Sequence, residues 1–163
     1  MIDLGVKRHH EAGAHFPDFQ GGSFALLSTE PMRVHEEKIT IRFADADPAG
    51  VVFYPRAIAL AHSVVEDLIR HSPLGWEAWF ASPTHAAPLR HAEADFLRPM
   101  KAGENFTARA AVEATGTTSV TFLVEFLDLA GHTAARVRTV HVLIDKKSGA
   151  PVPLTGEILS AFA

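Results

Sequence analysis

Cysteine is absent from the 163-residue sequence. This excludes a disulfide framework, a thiolate metal site and a cysteine nucleophile, and it suits a reducing compartment. Net charge is small as well: -4, with a pI near 6.2, leaves no global attraction to nucleic acid or anionic lipid. A polyanionic ligand would need a local basic patch. No apolar run approaches the roughly 18 residues that span a bilayer, and the amino terminus lacks the apolar core of a signal peptide. The expectation is a cytoplasmic protein that binds neither membrane nor nucleic acid. Also missing are a G-x-S-x-G elbow, a phosphate-binding glycine loop and a dinucleotide fingerprint. His91 to Glu93 read "HAE", half of a zinc-deaminase motif whose cysteines the chain does not have.

What is present is apolar material for one core: 47% of the residues are hydrophobic and 21% charged, the balance of an ordinary single domain. Residues 1–35 hold no period for long and are broken by Pro17, Gly21, Gly22 and Pro31, so they read as an N-terminal extension, with Met32 an alternative start. His9, His10 and His15 lie there without a carboxylate at firm spacing, and no metal site is expected. Residues 36–163 read as the folded domain.

Ile39, Ile41 and Phe43 alternate with Lys38, Thr40 and Arg42, predicting a first strand over Glu36 to Phe43 with those three on its buried face. After Pro55, a residue suited to a helix's first turn, Ile58, Ala61, Val65, Leu68 and Ile69 mark one apolar stripe about four turns long. A proline-punctuated loop follows, with a short helical turn around Trp76 to Phe80. Four further strands are predicted from "HAEADFLRP", "ENFTARAAVEA", "SVTFLVEFLDL" and "AARVRTVHVLI", joined by turns at "TGTT" and "LAGH", and the chain closes on an amphipathic "TGEILSAF". One helix cannot cover both faces of a five-strand sheet. The fold class is therefore α+β, a curved antiparallel sheet of about five strands wrapped around one long central helix. Its edges and its uncovered face favour association with a second copy, a dimer or a tetramer.

The stretch "FADADPAGVVFYPR", residues 43 to 56, sets two carboxylates against the apolar Val51, Val52, Phe53 and Tyr54 at the start of the helix. A helix start offers unpaired N–H donors and the positive end of the macrodipole, suited to negative charge developing on a carbonyl oxygen. Pro55 has no N–H, so such a donor would be Tyr54, Phe53 or a residue after Pro55. A carboxylate beside it could attack the carbonyl or activate a water. Pro48 and Gly50 fit a tight backbone path with room for a close approach.

The run from Asp45 through Asp47, Pro48, Ala49 and Gly50 to Tyr54 and Pro55, followed by a helix and "FLRPMKAGENFTARA", resembles the hotdog-fold acyl-CoA thioesterases of the 4-hydroxybenzoyl-CoA thioesterase type over about Lys38 to Ile144. The resemblance implies hydrolysis of an acyl-CoA thioester, coenzyme A entering only as part of the substrate and no further cofactor. It implies that Asp47 is the catalytic carboxylate, that the Tyr54 N–H holds the thioester oxygen, and that the cleft lies between two subunits. Gly50 and Phe53 would line it. Asp45 would share a face with Asp47 in extended chain, as a second catalytic carboxylate or as a loop brace.

His62 and Glu66, at i and i+4 on the helix, would face the substrate as an acid-base pair. The hydroxybenzoyl enzyme has an aspartate at the His62 position, so the acyl group stays open. A second hotdog group uses a helical glutamate after a His-Gly-Gly loop, which this chain lacks. Where the hydroxybenzoyl enzyme has a basic cluster for CoA phosphates, the sequence reads "TGTTS". Arg98 with Lys101, Arg136 with Arg138, and Lys146 with Lys147 are the remaining basic pairs, and the carrier could instead be an acyl carrier protein. Two other readings keep the fold: a non-catalytic acyl-carrier scaffold, and an enoyl-thioester hydratase, which would require a histidine between Asp47 and His62 where none occurs.

Overall fold

The computed structural model describes residues 33–162. Histidines 9, 10 and 15 and nearly all of the expected extension lie outside them. In chain order the elements are β1 (Val34–Thr40), a 3-10 turn (Phe43–Asp45), α1 (Tyr54–Arg70), α2 (Gly75–Phe80), β2 (His85–Ala86), β3 (Leu89–Phe96), β4 (Asn105–Thr115), β5 (Ser119–Leu127), β6 (Thr133–Val142), β7 (Ile144–Asp145) and α3 (Gly156–Phe162).

Five strands form one antiparallel sheet in the order β1-β4-β5-β6-β3, with β1 and β3 at its edges. Alternation dictates its inner face. Phe106, Ala108, Ala110 and Val112 of β4, Val120, Phe122, Val124 and Phe126 of β5, and Val137, Thr139 and His141 of β6 are all buried. Onto them α1 turns Ala57, Ala61, Val64, Val65, Leu68 and Ile69, lying against β1, β4, β5 and β6; of the expected stripe Ala61, Val65, Leu68 and Ile69 are buried, Ile58 is half-buried, and Ala57 and Val64 join the face unannounced by the spacing. This is the expected sheet curled around one helix. A bulge in β4 between Val112 and Ala114 adds local bend and twist to the curl. Trp79 of α2 and Phe162 of α3 close the far end, packing edge-to-face with each other and with Phe122.

Three details differ from the sequence expectation. Phe43 is not on a buried strand face: it is 91% exposed, because β1 stops at Thr40 and the chain turns at Phe43–Asp45, where the Asp45 carboxylate accepts the Arg42 N–H at 2.9 Å. β1 begins at Val34 and β3 at Leu89, each two residues before the expected start. β2 and β7 pair as a second, two-residue ladder that ties the segment after α2 to the end of β6; a pair so short has no period to read.

Candidate active site

The site begins where β1 ends. Asp47, Pro48, Ala49 and Gly50 make a tight turn: the Gly50 N–H donates to Asp47 O at 2.9 Å, the Asp47 N–H to Val51 O at 2.9 Å, and Ala46 bridges Val52. Aspartate first, proline second and glycine last is the residue order such a turn prefers. Gly50 needs its missing side chain, with φ at 78°. The loop is sewn to the segment before β4, since the Val52 N–H donates to Met100 O at 2.8 Å and Val51 bridges Lys101.

The two aspartates have opposite fates. Asp45 is buried, and its Oδ1 accepts Arg56 Nε at 3.0 Å and Nη2 at 2.7 Å while its Oδ2 accepts the Arg42 N–H. Burial alone would raise its carboxyl, but the Arg56 hydrogen bonds, the Arg42 N–H and the two arginine charges outweigh that and hold it below the ordinary 3.8. Asp45 O also accepts the Phe53 N–H at 2.8 Å, so this residue braces both ends of the loop. Asp47 is half-buried. One of its oxygens accepts the Ala49 N–H at 2.8 Å, and among the described residues nothing donates to the other.

At the head of α1, the Arg56 and Ala57 N–H groups both donate to Phe53 O, at 2.7 and 3.2 Å, and Pro55 has none to give. The Tyr54 N–H has no acceptor among the described residues. Asp47 and Tyr54 line one cleft of about 410 Å³, walled by Val51, Val52, Phe53, Phe96, Leu97, Pro99 and Met100 and rimmed by Arg98. Phe53, Tyr54, Phe96 and Leu97 stay 44–62% exposed there. Beyond Arg98 and Pro99 the surface continues into a second cleft of about 660 Å³ that holds Lys101, Asn105 and Asp128.

The other expected site residues are dispersed over the fold. Gly50 lines a separate groove with Phe43, Ala46, Asp47, Pro48 and Ala102. His62 is exposed and Glu66 half-buried, neither within the Asp47 cleft. Eight residues past Tyr54, His62 stands about 12 Å along the helix. Its ring faces Phe80 at 6.3 Å and stacks toward His141 at 6.5 Å, while Glu66 accepts Trp76 Nε1 at 3.4 Å. Arg136 and Arg138 lie on the outer sheet face, away from α1. Arg136 donates to Glu125 at 2.9 Å, and Arg138 pairs with Glu93 and Glu113, whose hydrogen bonds raise its already high pKa. Lys146 donates to Ser82 O. Of the basic pairs, Arg98 with Lys101 adjoins the cleft.

Sequence reasoning missed Arg56 and the wall formed by Phe96, Leu97 and Met100. Arg56 had a local signal, an unlike charge just inside the helix after two aspartates; the wall had none, since β3 reaches the loop only through the sheet.

The thioesterase-like superfamily matches residues 41–162. A 1,4-dihydroxy-2-naphthoyl-CoA hydrolase of Nostoc punctiforme is 32% identical over 120 residues, covering 74% of this chain and 80% of the relative. One from Trichodesmium erythraeum is 29% identical over 72% of this chain and 87% of its own length. Among solved structures, a 1,4-dihydroxy-2-naphthoyl-CoA thioesterase from Synechocystis superposes with a TM-score of 0.72 at 22% identity, over 79% of this chain and 95% of that one. BH1999, a gentisyl-coenzyme A thioesterase, gives 0.67 at 17% over 78% and 98%. These two show a shared fold, the hotdog expected from the sequence. The chain belongs to the thioesterase-like superfamily, as an acyl-CoA thioesterase.

Proposed function

We propose that the chain hydrolyses an aromatic acyl-CoA, of the hydroxylated bicyclic kind that its relatives' names describe, at the cleft shared by Asp47 and Tyr54. The observation that carries this is the pairing in one apolar cleft of a carboxylate with an uncommitted oxygen and a helix-start N–H with no acceptor. The thioester oxygen accepts the Tyr54 N–H, so the negative charge that builds there meets a donor and the helix dipole. Asp47 either takes a proton from the attacking water or attacks the carbonyl itself, giving an anhydride that water then opens. In both cases the C–S bond breaks, the thiolate of CoA leaves and is protonated, and the free acid remains.

The apolar wall of Phe53, Phe96 and Leu97 suits an aromatic ring, and Arg98 and Lys101 suit the phosphates on the path out of the cleft. The exposed aromatic rim suits closure by a second copy, which makes the working unit a homo-oligomer.

A thiol reagent measures CoA release cleanly, because the protein has no thiol of its own. Across aromatic and aliphatic acyl-CoAs, kcat/KM is expected to be highest for hydroxylated bicyclic aryl groups. A preference for straight aliphatic chains would overturn the substrate class, and saturable binding without CoA release would overturn catalysis. A single turnover in ¹⁸O-water that places label in the Asp47 carboxylate would identify nucleophilic attack.

A further inference from the structure

At the other end of α1 the edge strand β1 does something unusual for an inward face. Its side chains alternate between exposed Val34, Glu36, Lys38 and Thr40 and half-buried His35, Glu37 and Ile39, which point toward α1. Ile39 is ordinary there; an imidazole and a carboxylate are not. Opposite them α1 presents Asp67, also half-buried, and the ligand atoms of His35, Glu37 and Asp67 all lie within 4.8 Å of one another. Two carboxylates so close repel each other unless a cation sits between them. No arginine or lysine among the described residues pairs with Glu37, and Asp67 has only a long contact to the half-exposed Arg70, at 3.4 Å. A carboxylate has a second oxygen to offer beyond that contact.

A further histidine stands beside the set. The His71 ring stacks parallel on His35, with centroids 5.2 Å apart and planes 7° from parallel. Its Nδ1 lies 2.7 Å from Asp67 O, a contact in which it donates and which leaves Nε2 as the nitrogen with a lone pair. One imidazole with a second beside it and two carboxylates, drawn from a strand, a helix and that helix's cap, is a mixed nitrogen and oxygen set. Such sets favour Zn²⁺ and neighbouring divalent transition metals over the oxygen-only preference of Ca²⁺ and Mg²⁺.

We propose that His35, Glu37 and Asp67, with His71 beside them, form a binding site for one divalent transition-metal ion. Asp67 lies thirteen residues beyond Tyr54, about 20 Å along the helix, so the ion is remote from the thioester chemistry. It would clasp edge strand β1 to the end of α1 and stabilise the fold by binding only the folded state. The site does not depend on which acyl group is cleaved.

The test titrates the full-length, chelator-stripped protein with ZnCl₂ by calorimetry and follows its melting temperature. The expected result is one strong site per chain and a rise of about 5 °C at saturating metal. His35→Ala and Glu37→Gln should each weaken that site about tenfold or more. Glu37→Gln keeps the side chain's shape, so it separates lost binding from lost folding, and its acyl-CoA hydrolysis should match that of the parent. A triple variant, His9→Ala, His10→Ala and His15→Ala, should keep the strong site. Absence of stoichiometric binding, binding undiminished in His35→Ala and Glu37→Gln, or loss of the site in the triple variant would each overturn the proposal.

Discussion

The outer face of the sheet and the head of α1 both carry charge, and they dispose of it in opposite ways. Across the sheet, register places Glu36, Arg109, Glu125, Arg136 and Asp95 side by side on five neighbouring strands, signs alternating, and Arg138 is gripped by Glu93 and Glu113 one row away. Glu36, Glu125, Glu93 and Glu113 each meet an arginine there. At the head of α1 the pairing is selective: Asp45 is consumed by Arg56 and Arg42, whereas Asp47 keeps one oxygen and Tyr54 its N–H. A surface that pairs its carboxylates with arginines can stabilise but has little left to offer a ligand. A surface that leaves a carboxylate oxygen and a backbone donor uncommitted in one cleft has built a place for chemistry.

That contrast can be tested at both ends. Asp47→Asn removes the uncommitted charge and should lower kcat/KM for CoA release about a thousandfold, with a melting temperature close to the parent's. A loss under tenfold would take Asp47 out of the chemistry. Asp45→Ala attacks the brace instead. It leaves the Arg42 N–H and Arg56 without their acceptor, and with Arg56 half-exposed to water the cost should be about 2–3 kcal/mol by urea unfolding. Activity should fall with it as the Asp47 turn loosens.

Arg98→Ala and Arg136→Ala compare a cleft arginine, whose contact to Asp128 is a loose 4.0 Å, with one that donates to Glu125 at 2.9 Å. The first should raise KM for an acyl-CoA about tenfold, and added salt should blunt the difference. The second should change KM little and stability by less than about 0.5 kcal/mol. Equal effects on KM would erase the distinction between the two faces.

The smallest effect expected is in the acid range. His141 is buried among Trp79, Phe122 and His62; burial pushes its pKa below the ordinary 6.5, its bond to Ala87 O opposes that, and the His62 charge adds to the lowering. Just below pH 6.5 the unfolded chain therefore binds more protons than the folded one. The stabilisation from neutral His141 is complete above 6.5 and is lost as pH falls. His141→Phe, which also removes a buried Nε2 with no partner among the described residues, should flatten this decline in denaturant midpoints between pH 7.5 and 5.5. An unchanged slope would assign the decline to other groups.

Periodicity carried most of the fold. The alternations in β4, β5 and β6 and the helical stripe of α1 all reached the core, because each is repeated over enough residues to outweigh local accidents. It failed at Phe43, where one more apolar residue in phase extended a strand that the Asp45 side chain ends. The site was legible where it is local, at Asp47 through Tyr54, whose turn and helix start follow from neighbouring residues. It was not legible where it depends on strand order. That Arg136 and Arg138 share a strand face is written in their spacing, but that Glu125, Glu93 and Glu113 face them depends on which strands lie next to β6. His62 shows the same limit along the helix axis, since spacing places it on α1 without saying what stands opposite.

Tyr54 is the sole tyrosine in the chain. Protein made with ¹⁵N-tyrosine would therefore show a single backbone amide resonance, and that resonance would come from the N–H at the head of α1 that no described residue engages. The molecule carries a built-in reporter at the point where a thioester oxygen would arrive. Its chemical shift and its rate of exchange with solvent can be followed without altering any residue.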